Sequence, residues 1–350
     1  MPDLFTPIRL GDLDLPNRIF MAPLTRARSG STRVPNSMMV EYYRQRASAG
    51  LILSEATVVS PQGIGYADTP GIWSAEQVEG WKAVTRAVHG AGGRIFLQLW
   101  HVGRISHPSF LGGETPVAPS PIAPSGHVSL IRPQTPYVVP RALAREELPG
   151  IVEDFRLGAA NAQAAGFDGV EIHGANGYLL DQFLQDRSNH RTDDHGGSIA
   201  NRARLLLEVT DAVAGVWGAS RVGMHLAPRG DAHDMGDSDR LATFSHVARE
   251  LGKRRIAFIA TREKPGPDWI GPQLKAAFGG TYVANEGLDL ASANALLAAG
   301  EADAVAFGKL FIANPDLPRR FATAAPLNPP DPQTFYAAGP AGYTDYPALA

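Results

Sequence analysis

The sequence predicts an α/β protein of the closed (β/α)8 type, a TIM barrel, and three observations carry that prediction. Eight short runs rich in apolar and β-branched residues recur along the 350-residue chain. Each run is followed by a longer segment of helical periodicity. The interiors of the runs are almost continuously apolar, as in parallel strands whose outer face is covered by helices.

In chain order the predicted strands are RIFMAPL (18–24), GLILSEATVV (50–59), RIFLQLWH (94–101), GVEIHG (169–174), RVGMHLAP (221–228), RIAFIATRE (255–263), TYVANE (281–286) and AVAFGKLF (304–311). Helices are expected over 36–49, 74–90, 145–165, 198–217, 238–253, 271–278 and 290–299. Asn36, Ser74, Ser198 and Ser238 stand where an N-cap belongs, and several segments end at glycine. Residues 102–141, between the third strand and its helix, break this rhythm with many Pro, Gly and Ser. Loops that follow barrel strands lie at the active-site face, so this segment is expected to form a lid or loop subdomain over the mouth. The tail from Pro326 is Pro-rich and irregular. No internal repeat or linker divides the chain, so residues 1–350 are expected to form a single domain.

Composition narrows the function. Hydrophobic residues are 44% and charged residues 19% of the chain, enough apolar material for a large core. The net charge of -3 and the lack of a basic stripe give no electrostatic support for nucleic acid or an anionic membrane as partner. The absence of cysteine excludes disulfides, thiolate metal sites, cysteine nucleophiles and cysteine-held iron–sulfur clusters. The start, MPDLFTPIRLGDLDL, carries Asp3, Asp12 and Asp14 without an apolar core, unlike a secretory signal. No apolar run is long enough to span a bilayer. A cytoplasmic protein is expected, and monomer and homodimer are both compatible with the composition.

Active sites of this fold gather side chains from the C-terminal ends of the strands. The polar residues there are Thr25, Glu55, Gln98, His101, His173, Asn176, Tyr178, His225, Glu263, Asn285 and Lys309. The segment EIHGANGYLLDQFL (171–184) is the most informative. An imidazole and a carboxamide can both donate to one carbonyl oxygen and polarise a conjugated C=C. A nearby phenol can protonate the carbon that receives no hydride. Taken singly, these three residues also suit a buried His, a capping Asn and a core Tyr; their joint placement favours chemistry. His101, His107, His173, His190 and His195 form no HxxxH or HxH pair with a carboxylate, so no metal is expected. No G-x-G-x-x-G joins a strand to a helix, which argues against a Rossmann site.

Longer strings sharpen the reading: LFTPIRLG (4–11), NRIFMAPLTR (17–26), YYRQRASAGLILSEAT (42–57), QLWHVGRISH (98–107), GFDGVEIHGANGYLLDQFL (166–184), NHRTDDHGGSIANRARLLLEV (189–209), ADAVAFGKLFIANPDLP (302–318) and GYTDYP (342–347). In this order they resemble the old yellow enzyme family of FMN-dependent ene-reductases over nearly the full chain. The resemblance implies a non-covalently bound FMN, NADPH or NADH as electron donor, and small electron-poor alkenes (unsaturated carbonyl or nitro compounds) as substrates. It implies that Pro23, Leu24 and Thr25 lie along the flavin, with the Thr25 hydroxyl near C4=O and N5. Ala56 would touch the ring through its backbone, and Gln98 would pair with the pyrimidine edge. Glu286, Gly287, Gly308 and Lys309 would bind the phosphate. His173 and Asn176 would hold the substrate carbonyl and Tyr178 would donate the proton, with Tyr66, Trp100 and Tyr343 around the pocket.

Thr25 replaces the cysteine of the thermophilic-like branch, so the chain resembles the Thr-bearing branch. Two departures stand out. His225 occupies a position where relatives usually place an arginine beside flavin N1 and O2, and Lys309 replaces an arginine of the eighth-strand motif. A histidine near its ordinary pKa is only partly charged at neutral pH, and lysine lacks the guanidinium fork. Weaker FMN retention or a lower flavin potential is expected. Two other readings stay open on the sequence: a barrel that binds flavin or phenols with little turnover, and a non-redox barrel enzyme using Lys309 or Glu263.

Overall fold

The computed structural model describes residues 1–129, 131–230 and 232–349; Leu130, within the third loop, lies outside the described residues, as do Asp231 and Ala350. Among the described residues, eight parallel strands close into one barrel: β1 (Ile19–Met21), β2 (Leu51–Leu53), β3 (Ile95–Trp100), β4 (Gly169–Gly174), β5 (Val222–Leu226), β6 (Phe258–Arg262), β7 (Thr281–Asn285) and β8 (Ala304–Phe307). Closure is made at β1, where Phe20 lies opposite Ala306 of β8 on one side and Leu51 of β2 on the other. Alternation along each strand then sorts the side chains. Phe20, Leu51, Phe96, Phe258, Val283 and Ala304 share the barrel interior. Their neighbours Ile19, Ile52, Ile95, Val170, Ile259 and Val305 join the larger cluster that packs the helices.

The strands are followed by α1 (Ser37–Gln45), α2 (Ala75–Gly90), α3 (Leu148–Ala164), α4 (Ile199–Trp217), α5 (Arg240–Arg254), α6 (Gly271–Phe278) and α7 (Leu290–Ala299). Three expected caps are in place. Asn36 accepts from the Met38 and Met39 N–H groups, Ser74 forms a capping box with Gln77, and Ser198 accepts from Asn201 N–H. The cap of α5 is Asp239 instead of Ser238, because Ser238 is hydrogen-bonded through both its hydroxyl and its N–H to the Asp186 carboxylate.

Three further differences from the sequence reading shape the site. The eighth strand stops at Phe307, and a helix runs Lys309–Ala313, followed by another over Leu317–Ala322. The apolar run there fits helix and strand equally well by periodicity alone. The second strand is interrupted: β2 ends at Leu53, and Thr57–Val58 pairs separately with Leu99 and Trp100 of β3. A hairpin of Ile8–Leu10 and Leu13–Leu15 also precedes the barrel, and its Leu10, Leu13 and Leu15 enter the interior cluster and stopper the N-terminal end. Its turn residue Gly11 has φ +58, and a Cβ there would fall 2.0 Å from the Ser220 carbonyl oxygen.

The long third loop does lie over the C-terminal end. Val117–Ala118 pairs with Arg141–Ala142, and the loop is anchored by Arg104, 1% exposed, which donates to the carbonyls of Ile122 and His233. Ser125 meets the Asp234 carboxylate from the loop after β5. The irregular tail crosses the same end. Buried Arg26 and Arg28 hold it by donating to the carbonyls of Thr334, Phe335, Gly339, Ala341 and Gly342. Among the described residues, no helix is long and apolar enough to cross a membrane.

Candidate active site

The end of β4 and the turn after it bring the predicted trio together. His173 lies opposite His225 of β5 in register, with ring centroids 5.4 Å apart. Ala175 N–H donates to His173 Nδ1 at 3.3 Å, so that nitrogen is the acceptor and the proton sits on Nε2. Burial holds the His173 pKa well below the usual imidazole range, with further depression from His225 and Arg262. The ring is therefore a neutral donor. Asn176 adopts φ +58, a left-handed conformation that asparagine tolerates better than most residues. The turn is fixed by Asp181, which accepts from Gly177 N–H at 2.8 Å.

Tyr178 comes back toward the mouth. Its hydroxyl is 2.9 Å from that of Tyr66, and burial raises its pKa above the usual phenol value, so it stays protonated at neutral pH. Trp100, fully buried, stacks on Tyr66 at 5.3 Å and meets Tyr178 edge-on at 5.0 Å. It backs the two phenols from behind. Tyr66, Tyr178 and Thr25 form part of a cleft of about 370 Å³ whose other walls come from the third loop (His127, Val128, Ser129, Arg132, Gln134) and from Tyr336 of the tail.

Tyr343 requires correction. It is fully buried, stacked on Tyr42 at 4.1 Å with the Arg26 and Arg28 guanidinium groups over its face, and it does not line the cleft. The cation–π contacts and the stacking satisfy this ring inside the tail anchor. Tyr336, 53% exposed, is the tail aromatic that reaches the cleft.

A second cluster sits beside the first. Gln98 Nε2 donates to Glu171 Oε2 at 2.7 Å and lies 3.2 Å from His225 Nδ1. Burial pushes the His225 pKa down to about 3, helped by Arg262, so the expectation of a partly charged imidazole is overturned: the ring is neutral. Burial likewise pushes the Glu171 carboxyl up to about 8 against the hydrogen bond from Gln98.

Pro23, Leu24 and Thr25 follow β1 and are half-buried, and Ala56 is buried in the break within the second strand. Beyond β7, Glu286 has φ +92 and Gly287 φ +71. Gly308 closes against Leu24, whose Cδ2 would be 3.3 Å from an added Cβ, and exposed Lys309 opens the helix after it. Among the described residues, the N–H groups of Gly287 and Gly308 find no acceptor in the chain. This rim of free amides and a lysine suits an anionic group. The neutral amide and imidazole of Gln98 and His225 suit the polar edge of a heterocycle.

Four strand-end residues point elsewhere. Trp100 and Arg262 share the inward parity, so His101 and Glu263 next to them face away from the mouth. His101 Nδ1 accepts from Gly103 N–H, and Glu263 accepts from Ile270 N–H and pairs with Arg229. Asn285 donates to the Ala306 carbonyl, tying β7 to β8. Buried Glu55 accepts from Arg26 N–H. The alternation Phe258, Ala260, Arg262 along β6 is the sequence signal that brings the arginine, and not Glu263, to the mouth.

Residues 3–328 match the model of the NADH:flavin oxidoreductase / NADH oxidase family. The chain is 46% identical to 12-oxophytodienoate reductase 1 of Oryza sativa subsp. japonica over 364 residues, 99% of this chain and 93% of that protein. It superposes on the old yellow enzyme homologue from Zymomonas mobilis with a TM-score of 0.97 at 46% identity, covering 99% of this chain and 100% of that one. It superposes equally on morphinone reductase in complex with tetrahydroNAD, with a TM-score of 0.97 at 49% identity over 100% and 98% of the two chains. The chain belongs to the NADH:flavin oxidoreductase / NADH oxidase family and is an FMN-dependent ene-reductase of the old yellow enzyme kind, driven by a nicotinamide cofactor.

Proposed function

We propose that the alkene substrates are α,β-unsaturated carbonyl or nitro compounds, held by His173 and Asn176 and protonated by Tyr178. The observation that carries this reading is the state of the three side chains: a neutral imidazole with its proton on Nε2, a carboxamide whose nitrogen has no acceptor among the described residues, and a protonated phenol at one strand end. Two donors on one substrate oxygen draw electron density from the conjugated double bond and stabilise the enolate-like charge that develops on that oxygen.

The residues that would hold FMN are Pro23, Leu24, Thr25 and Ala56 along the ring, Gln98 and His225 at its polar edge, and Glu286, Gly287, Gly308 and Lys309 at the phosphate. When bound there, FMN would supply the two-electron hydride chemistry, with NADPH or NADH as the electron donor and the substrate β-carbon as the acceptor. Tyr178 gives its proton to the α-carbon, so one hydride and one proton add across the C=C. For that donation the hydroxyl of Tyr66 has to donate to Tyr178 Oη and not the reverse, which supports the phenolate left behind. Trp100 keeps both phenols in place, and the third loop with Tyr336 shields the cleft from water.

Tyr178→Phe tests the assignment. Stopped-flow reoxidation of NADPH-reduced enzyme by 2-cyclohexenone should slow ~10²–10⁴-fold, the range of general acid catalysis. Flavin reduction by NADPH should stay near the wild-type rate. Loss confined to the reductive half-reaction would rule out Tyr178 as the proton donor to the alkene.

A further inference from the structure

Arg262 ends β6 on its inward face, two residues after Ala260 and opposite Asn285 of β7. Its side chain is 44% exposed, yet it is held from two sides. One arm donates to Asn176 Oδ1 at 3.1 Å, from the turn after β4, and another to Glu286 Oε1 at 3.2 Å, from the loop after β7. A guanidinium carries donors only, so the carboxamide atom that faces it has to be the oxygen. The nitrogen is thereby turned away, and among the described residues it has no acceptor in the chain. An asparagine amide is nearly symmetric in shape, and its two flips differ mainly in hydrogen bonding. The backbone of Asn176 therefore sets where the side chain starts but not which end faces the substrate. With the flip reversed, a lone pair would oppose the substrate oxygen where a donor is needed.

We propose that Arg262 is a positioning residue for the reduction: by gripping the oxygen of the Asn176 carboxamide it commits the amide nitrogen to the substrate oxygen. The inference rests on the reading of His173 and Asn176 as the pair that binds the substrate oxygen. Glu286 holds the guanidinium from the far side and keeps it from swinging out to solvent.

A double-mutant cycle tests it, using wild type, Arg262→Met, Asn176→Ala and the double variant. Two readouts are 2-cyclohexenone binding to the oxidised holoenzyme, followed by flavin absorbance, and single-turnover reoxidation of the NADPH-reduced enzyme. Arg262→Met should weaken enone binding or slow reoxidation by about tenfold, the size expected for losing one charge-assisted hydrogen bond. The double variant should be no worse than Asn176→Ala alone, because the arginine acts through the asparagine. Arg262→Lys, which can still donate to the same oxygen, should recover most of the loss. FMN dissociation constants, measured on each apoprotein by fluorescence, should move little. Equal losses from Arg262→Met in the presence and absence of Asn176 would overturn the positioning role, as would a fully active Arg262→Met. If Asn176→Ala itself changes neither binding nor rate, the substrate-oxygen reading falls and takes this inference with it.

Discussion

The two ends of the barrel are built from the same strands with the same alternation, yet they do opposite work. At the N-terminal end the inward positions are Phe20, Leu51, Phe96 and Phe258, sealed by the leucines of the hairpin. At the C-terminal end the same inward parity places Gln98, Trp100, His173, His225 and Arg262 at the rim, under a loop and a tail held by buried arginines. The floor is apolar and closed. Among the described residues, the mouth buries polar atoms that lack a partner in the chain, Trp100 Nε1 and Glu171 Oε1 among them, and each such atom costs stability. The contrast teaches that the mouth can carry poorly satisfied groups because the floor and the helix packing supply the surplus.

That division can be broken from either side. The largest effect belongs to the floor: Phe258→Ala should lower unfolding free energy by ~3–5 kcal/mol, as expected for a buried aromatic. Enone reduction per molecule of folded, FMN-loaded enzyme should remain close to wild type. Chemical denaturation with parallel kinetics measures both, and a specific loss of turnover would show that floor and mouth are coupled.

Glu171 sharpens the comparison from the mouth through pH. Its carboxyl is pushed from 4.5 up to about 8 by burial, so between those values the folded state keeps a proton that the unfolded state has lost. Stability must then fall as pH rises through that window. Glu171→Gln should flatten part of the slope, on the order of 2 kcal/mol between pH 5 and 8. Glu55 and Asp181, each raised to about 7 by burial, keep the remainder. Melting curves at several pH values decide it, and parallel pH profiles for variant and wild type would contradict the assignment.

The smallest effect concerns charge at the flavin edge. His225 is neutral, so His225→Arg should tighten FMN binding by on the order of tenfold and raise the flavin reduction potential, the direction set by a fixed cation near developing negative charge. FMN titration of the apoprotein and a redox dye assay report the two quantities. Unchanged values would mean that position 225 has no electrostatic hold on the flavin.

Much of this is legible in the sequence. The eight runs located every barrel strand, and Asn36, Ser74 and Ser198 marked helix starts because their side chains satisfy backbone N–H groups within three residues. The grouping of His173, Asn176 and Tyr178 followed from their place after β4. The leucine hairpin has no such local signal, because its two strands are only three residues each and the barrel end that Leu10, Leu13 and Leu15 pack against is assembled from strands far apart in sequence. Tyr343 and Tyr336 could not be told apart by pattern, since the tail has no periodicity and its course is set by Arg26 and Arg28. Ser238 matched a cap and lost the role to Asp239 through a bond to Asp186, 52 residues earlier.

The amino-acid sequence by itself determined the barrel, its strand order and the residue types gathered at its mouth, because those depend on local periodicity and on which strand each residue follows. Only the tertiary structure decided the states of those residues. The tautomer of His173, the flip of Asn176, the neutrality of His225 and the place of Arg262 between Asn176 and Glu286 all arise from burial and from partners brought together by closure of the barrel. Hydrogen bonding and desolvation act over a few ångströms in space, and no spacing along the chain encodes them.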